Sequence, residues 1–193
     1  MGELGTIRLV KQFNEAGWLP TRNWTGAGSQ RKWENLWAES LNKKYLKKYG
    51  SCYRCPIHCK RVVSYKNEKF EIDPIFGGPE YETVAALGSL CDIDDLEYVI
   101  KGSELCNKFT IDSISTGSAI AFAMHCFENG ILTKKDTYGI NLKFGNKEAM
   151  LEMIKKIAFR EEGLGDFLAE GTLRASKRIG KGSNKFIRQV KGQ

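Results

Sequence analysis

Apolar residues recur every three or four positions through most of the chain, and that period predicts a protein built mainly of helices. Leu9, Val10 and Phe13 share one face of a first helix, which Gly17 should end. Residues 18–30 carry Gly, Pro, Thr, Asn and Ser and predict an extended loop around Pro20-Thr21-Arg22-Asn23. Helical spacing returns with Trp33, Leu36, Trp37, Leu41 and Tyr45, and Gly50 is the expected stop. The period then shortens. Val62-Val63 and Phe70-Glu71-Ile72 flank the polar Lys66-Asn67-Glu68, which predicts one β-hairpin. A Pro/Gly loop over 74–79 leads into a helix beginning near Tyr81.

Downstream, Asp94 is the expected cap of a helix that turns Leu96, Val99 and Ile100 inward. Residues 113–129 are apolar nearly all round, so this segment should be a buried helix ended by Gly130. Thr133-Lys134-Lys135-Asp136 resembles a capping box. Asn146 should cap a helix with Met150, Leu151, Ile154 and Ile157 inward, and a last helix should span about 166–179 and stop at Gly180. The expected fold is mainly α, a multihelical bundle with one short β-hairpin near residues 61–73, forming a single unit over 1–193.

A chain of 193 residues can bury a real core, and 41% hydrophobic with 27% charged residues suits a soluble protein. No apolar run approaches the roughly 20 residues that cross a bilayer. The net charge of +7 is spread out. Lys43, Lys44, Lys47 and Lys48 are expected on one helix, with Lys155, Lys156 and a basic tail from Arg174 to Lys191 elsewhere. Nucleic-acid binding would want one basic stripe with aromatic platforms, so solvated helix faces are the simpler reading. An acidic protein partner or cofactor phosphate groups are the alternatives. The expectation is a cytoplasmic protein that binds neither nucleic acid nor membrane.

Cysteine placement adds chemistry. Of six cysteines, Cys52, Cys55 and Cys59 lie within eight residues, while Cys91, Cys106 and Cys126 sit in apolar helical contexts that suit core residues. A disulfide framework belongs to short secreted chains, which this does not resemble. The Cys52-x2-Cys55-x3-Cys59 spacing lets one helical turn or tight loop aim three soft thiolates at a common centre, and Pro56 can begin such a turn. Spacing alone leaves three alternatives, in this order: an iron–sulfur cluster, a zinc ion, or a chance set of buried thiols. A zinc-stabilised helical interaction module without catalysis is therefore the competing functional class. Zinc sites normally show two separated pairs, and His58 would point away from the three thiols on a helical turn.

Several ordered stretches resemble the tungsten-containing aldehyde:ferredoxin oxidoreductase family. Gly5-Thr6 through Asn14-Glu15-Ala16-Gly17-Trp18-Leu19-Pro20-Thr21-Arg22-Asn23 is similar to the opening of that family's second domain. Cys52-Tyr53-Arg54-Cys55-Pro56-Ile57-His58-Cys59 resembles its cluster-binding segment, and Gly78-Pro79-Glu80-Tyr81-Glu82-Thr83 a signature near its metal. Cys106-Asn107 and Asp112-Ser113-Ile114-Ser115-Thr116-Gly117 resemble its first pterin-contacting stretch, and the likeness continues through Leu168-Ala169-Glu170-Gly171.

The resemblance implies tungsten (or molybdenum) held by two molybdopterin dithiolenes, with a 4Fe-4S cluster close by. The enzyme oxidises an aldehyde to a carboxylic acid, and ferredoxin takes the electrons. Cys52, Cys55 and Cys59 would ligate the cluster. Glu82 would be the carboxylate that handles a proton as water or hydroxide adds to the carbonyl, with Glu80 the weaker candidate. Asn107 and Asp112 fall at the two acidic positions of the family's Asp-x-x-Gly-Leu-Asp pattern and would be pterin contacts. Here the first Asp, the Gly and the Leu are replaced by Asn107, Thr110 and Ile111, and Asp112 remains. Full family members are longer, with an N-terminal pterin-cradle domain and a C-terminal domain that supplies the fourth cluster cysteine. The expectation is a chain that works with those missing domains and is inactive alone.

Overall fold

The computed structural model describes residues 2–26 and 31–190. The end of the loop expected over 18–30 and Lys191, the end of the expected basic tail, therefore lie outside the described residues. Helix α5 (Ser113–Glu128) is the axis of the molecule, because its middle residues 119–124 are all apolar and all buried, so water is excluded from every side there. Helix α3 (Tyr81–Leu87) crosses it closely, and Gly117 is what permits the approach. A Cβ there would stand 2.6 Å from the carbonyl carbon of Ala86. Helix α4 (Leu96–Phe109) packs on α6 (Lys147–Ala158), and Leu87, Ile100, Phe122, Met150 and Ile154 belong to one continuous core. Asn146 caps α6 as expected, accepting from the Ala149 amide at 3.1 Å.

Local chemistry moves several boundaries. The cap of α4 is Asp95, whose side chain accepts from the Glu97 amide at 3.1 Å. Asp94 instead accepts from Asn35 at 3.2 Å. The last helix is two. Gly171, at φ +83°, separates α7 (Leu164–Ala169) from α8 (Thr172–Ile179). Asp136 does take both the Thr133 amide (2.7 Å) and hydroxyl (2.6 Å), but the bonds close a turn and no α-helix follows.

The larger departure lies between residues 33 and 73. The helix expected from Trp33 to Gly50 is a 3₁₀ turn (Glu34–Leu36), then α2 (Ala38–Lys44), then strand β1 (Leu46–Gly50). Trp37 has an extended backbone (ψ 155°), which breaks the helical hydrogen-bond series. Strand β1 pairs antiparallel with β2 (Lys60–Val63), so Lys47 and Lys48 lie on a strand and not on the helix of Lys43 and Lys44. Val62-Val63 thus pair with β1 and not with Phe70-Glu71-Ile72. The expected hairpin survives in shorter form, as β3 (Tyr65–Lys66) on β4 (Glu71–Ile72), with Asn67 Oδ1 accepting from the Lys69 and Phe70 amides. Helix α1 (Arg8–Glu15) completes the bundle beside α2 and α3, turning Val10 into the core. The fold is mainly α with small antiparallel strand pairs, and among the described residues no helix is long and apolar enough to cross a membrane.

Candidate functional site

The loop that joins β1 to β2 holds the cysteine cluster. Cys52 is exposed, Cys55 and Cys59 are half-buried, and all three are free thiols. A first turn forms where the Cys55 amide donates to the Cys52 carbonyl at 3.0 Å. Arg54 (φ +55°) and His58 (φ +52°) both take left-handed backbone, a conformation that costs a non-glycine residue roughly 1–2 kcal/mol. The loop thus reverses twice between the three cysteines.

Beneath it lies Arg61, 2% exposed because the alternation of β2 turns positions 61 and 63 inward. Its Nη1 donates to the carbonyls of His58 (3.3 Å), Cys59 (3.3 Å) and Lys60 (3.0 Å). Its Nη2 donates to the Gly2 carbonyl at 2.7 Å, and the guanidinium stands over the Tyr49 ring at 4.7 Å. The Nε–H is buried without a partner. Gly5 (φ +64°) runs so close that a Cβ would come within 2.7 Å of the Cys59 carbonyl oxygen. The segment from Gly2 to Thr6 is therefore a strap lying against the cysteine loop.

The strap leads to the second motif. Thr6 donates its hydroxyl to Glu80 and accepts from the Tyr81 amide (3.0 Å), so it ties the strap to the start of α3. Glu80 is the extended N-cap residue. Glu82 is exposed in the first turn, where a helix dipole favours a carboxylate. Burial and then the Glu82 charge push the neighbouring Tyr81 hydroxyl up to about 12. One residue on, Thr83 and Ser113 share a hydroxyl–hydroxyl bond of 2.7 Å, which joins the starts of α3 and α5. Asp112 sits there as the cap of α5, accepting from the Ser115 amide at 2.6 Å. Asn107, near the end of α4, donates to the Phe76 carbonyl at 2.9 Å and so holds the loop that precedes Gly77-Gly78-Pro79-Glu80.

Asp112 also opens onto a cleft of about 290 Å³, lined by Ser115 and Thr116 of α5, by Arg160, and by Leu168, Ala169 and Gly171. Two stretches that are distant in sequence, 112–117 and 168–171, meet at one surface. Cys91, Cys106 and Cys126 take no part in it. All three are fully buried, and burial raises each thiol far above its ordinary value, Cys106 and Cys126 to about 12.

These residues suit an iron–sulfur cluster by donor chemistry, with three free soft thiols on one short loop and an orphaned buried N–H of a cation beneath it. In the described arrangement no three His, Cys, Asp or Glu side chains are gathered around a common point. A cluster here would require the loop and its rotamers to bring the sulfurs together. Arg61 is absent from the motifs of the sequence, and Thr6 stands there only as part of the opening stretch, with no site role. The signal for Arg61 was available, since it occupies an inward-facing strand position two residues beyond Cys59.

Comparison with known proteins gives this arrangement a context. The family described as "Aldehyde ferredoxin oxidoreductase, domains 2 & 3" matches residues 1–193. The tungsten-containing aldehyde ferredoxin oxidoreductase of Thermococcus kodakarensis is 38% identical over 177 residues, covering 91% of this chain and 28% of that protein. The corresponding protein of Pyrococcus furiosus is 37% identical over 180 residues, with the same coverage of 91% and 28%. An aliphatic sulfonate oxidoreductase, WOR-like subunit, of the same organism is 32% identical over 177 residues, covering 90% of this chain. The chain thus spans 28% of the length of these curated relatives. The solved active-site complex BamBC of benzoyl coenzyme A reductase shares the fold, with a TM-score of 0.68 at 23% identity over 92% of this chain and 26% of that one. This chain belongs to the aldehyde ferredoxin oxidoreductase family, within the family's second and third domains.

Proposed function

We propose that the chain supplies the cluster-binding loop and part of the metal–pterin face of a tungsten enzyme that oxidises aldehydes to carboxylic acids and passes the electrons to ferredoxin. The observation that carries this reading is the chain of contacts from the cysteine loop, through Arg61, Gly5 and Thr6, to the start of α3 and on to Ser113 and Asp112. A redox centre on the loop and a cofactor against α3 and α5 would be linked by one strap. In the reaction RCHO + H2O → RCOOH + 2H⁺ + 2e⁻, the water oxygen enters and the aldehyde C–H bond breaks.

Glu82 takes a proton from water as it adds to the carbonyl, a role for which an exposed carboxylate on a helix's first turn is free of other partners. Its enclosure, and the raised proton affinity a general base needs, would come from parts of the enzyme beyond the described residues. Asp112 accepts from pterin donor groups with the oxygen its cap does not use. Asn107 already donates to Phe76, so its contribution is to hold the loop ahead of the signature. Cys52, Cys55 and Cys59 are three ligands of a 4Fe-4S cluster, which supplies one-electron transfer when bound, and the tungsten (or molybdenum) pterin pair supplies the two-electron step. The other domains of the same enzyme are partners of this surface. Exposed Lys47, Lys48, Lys60 and Arg54 around the loop suit an acidic protein such as ferredoxin.

The experiment is anaerobic expression of the full-length enzyme, with metal analysis and aldehyde-dependent dye reduction. Iron and acid-labile sulfide in the proportions of a four-iron cluster, lost on Cys55→Ser, together with turnover lost on Glu82→Gln, are expected. Stoichiometric zinc with no aldehyde turnover would replace this reading with that of a zinc-stabilised interaction module.

A further inference from the structure

Arg61 is the most deeply buried charged side chain among the described residues. A guanidinium removed from water loses a large hydration energy, and proteins normally offset it with a carboxylate. Among the described residues Arg61 forms no ion pair. Its partners are four backbone carbonyls, the Tyr49 ring and nothing at all for Nε. Three of those carbonyls belong to consecutive residues 58–60, one of them the ligand-bearing Cys59. The side chain serves one stretch of backbone, and that stretch ends the cysteine loop.

We propose that Arg61 is the fixed counter-cation of the cysteine loop, a positioning residue that sets how readily the centre held there accepts an electron. The proposal rests on the reading of Cys52, Cys55 and Cys59 as cluster ligands. Thiolate ligation makes the loop a site of net negative charge, and reduction adds one more. A cation two residues away, shielded from water, lowers the energy of the reduced state more than the oxidised one. The same guanidinium pins the carbonyls of residues 58–60, so the sulfur of Cys59 is presented from a fixed backbone while the Cys52 end stays free to close. This accounts for the tolerance of an unpaired buried charge, which would otherwise favour an apolar residue at an inward strand position.

The test is a potentiometric titration of the cluster, followed by its reduced-state electron paramagnetic resonance signal, in the full-length enzyme carrying Arg61→Gln or Arg61→Lys. Glutamine can keep donating to carbonyls but loses the charge, while lysine keeps the charge. The expected result for R61Q is a tenfold or greater fall in the ratio of reduced to oxidised cluster at fixed potential, about 59 mV for a one-electron couple. R61K should stay within that margin of the wild type. A wild-type potential in R61Q, or an equal fall in both variants, overturns the proposal. Should R61Q not fold, Arg61→Met replaces it as the charge-free variant: a tenfold fall in R61M but not in R61K supports the counter-cation, and an unshifted R61M or an equal fall in both overturns it. A wild-type enzyme with no iron–sulfur signal removes the cluster reading itself, which no behaviour of the variants alone could do.

Discussion

Replacing Gly117 by alanine tests the contact on which the spacing of the site depends. The added Cβ would stand 2.6, 2.7 and 2.8 Å from the carbonyl carbon, oxygen and Cβ of Ala86. Two of these three atoms are backbone, so no side-chain rotation relieves the overlap, and α3 and α5 must part. Overpacking of this kind costs about 1–3 kcal/mol, and the rigid partner places G117A toward the upper end. Alanine returns about 1 kcal/mol of helix propensity, leaving a net loss of about 2 kcal/mol. For a domain of this size each kcal/mol lowers Tm by about 2–4 °C, so a fall of about 4–8 °C is expected. Thermal unfolding followed by circular dichroism measures it. Gly130→Ala is the comparison, because Gly130 sits at φ +72° with nothing within 4 Å of the added atom and tests backbone strain without a clash. A G117A protein as stable as the parent would mean that Ala86 does not lie against α5. The placement of Thr83 beside Ser113 would then be wrong as well.

Other expectations follow from the same geometry. Iodoacetamide on the folded, cluster-free chain should label Cys52, Cys55 and Cys59 and spare Cys91, Cys106 and Cys126, whose burial raises their proton affinity; mass spectrometry should find all six labelled in denaturant. Asp112→Ala should cost about 1 kcal/mol in urea unfolding by removing the α5 cap. Asp112→Asn should keep that stability yet weaken pterin retention in the full enzyme, which separates the cap from the cofactor contact. Burial, and after it the Arg188 charge, holds His125 below its ordinary value of 6.5, and Asn23 donates to its Nδ1 at 3.1 Å. The unfolded chain therefore binds more protons than the folded one just below pH 6.5, and stability falls as pH drops through that window. His125→Gln should flatten the slope just below pH 6.5 in denaturation midpoints; an unchanged slope would remove the histidine from the account.

Periodicity carried the long elements because their burial is one-sided or complete, as in the middle of α5, where the apolar residues 119–124 are all buried. It failed where pairing partners are chosen by tertiary contact. Tyr45 and Leu46 continue the helical spacing of Trp33 and Leu41, yet Leu46 begins a strand because Val63 is available across from it. The division of the last helix turned on Gly171 at φ +83°, a backbone state that the sequence permits without announcing.

The site divides in the same way. Motif spacing located the cysteine loop, the Glu80–Thr83 turn and Asp112, since each is a local run. What joins them is not local. Thr6 reaches Glu80 across 74 positions, Arg61 reaches Gly2 across 59, and Thr83 reaches Ser113 across 30. A hydroxyl or a guanidinium carries no periodic signature, so such links stay invisible until the chain is folded. Arg61 is the exception that could have been read. A charged residue at an inward position of a short strand contradicts the burial pattern around it, and conflicts of that kind gather at functional sites because only function repays the desolvation. Here the conflict stands two residues from a proposed ligand, where a fixed positive charge can act on an electron.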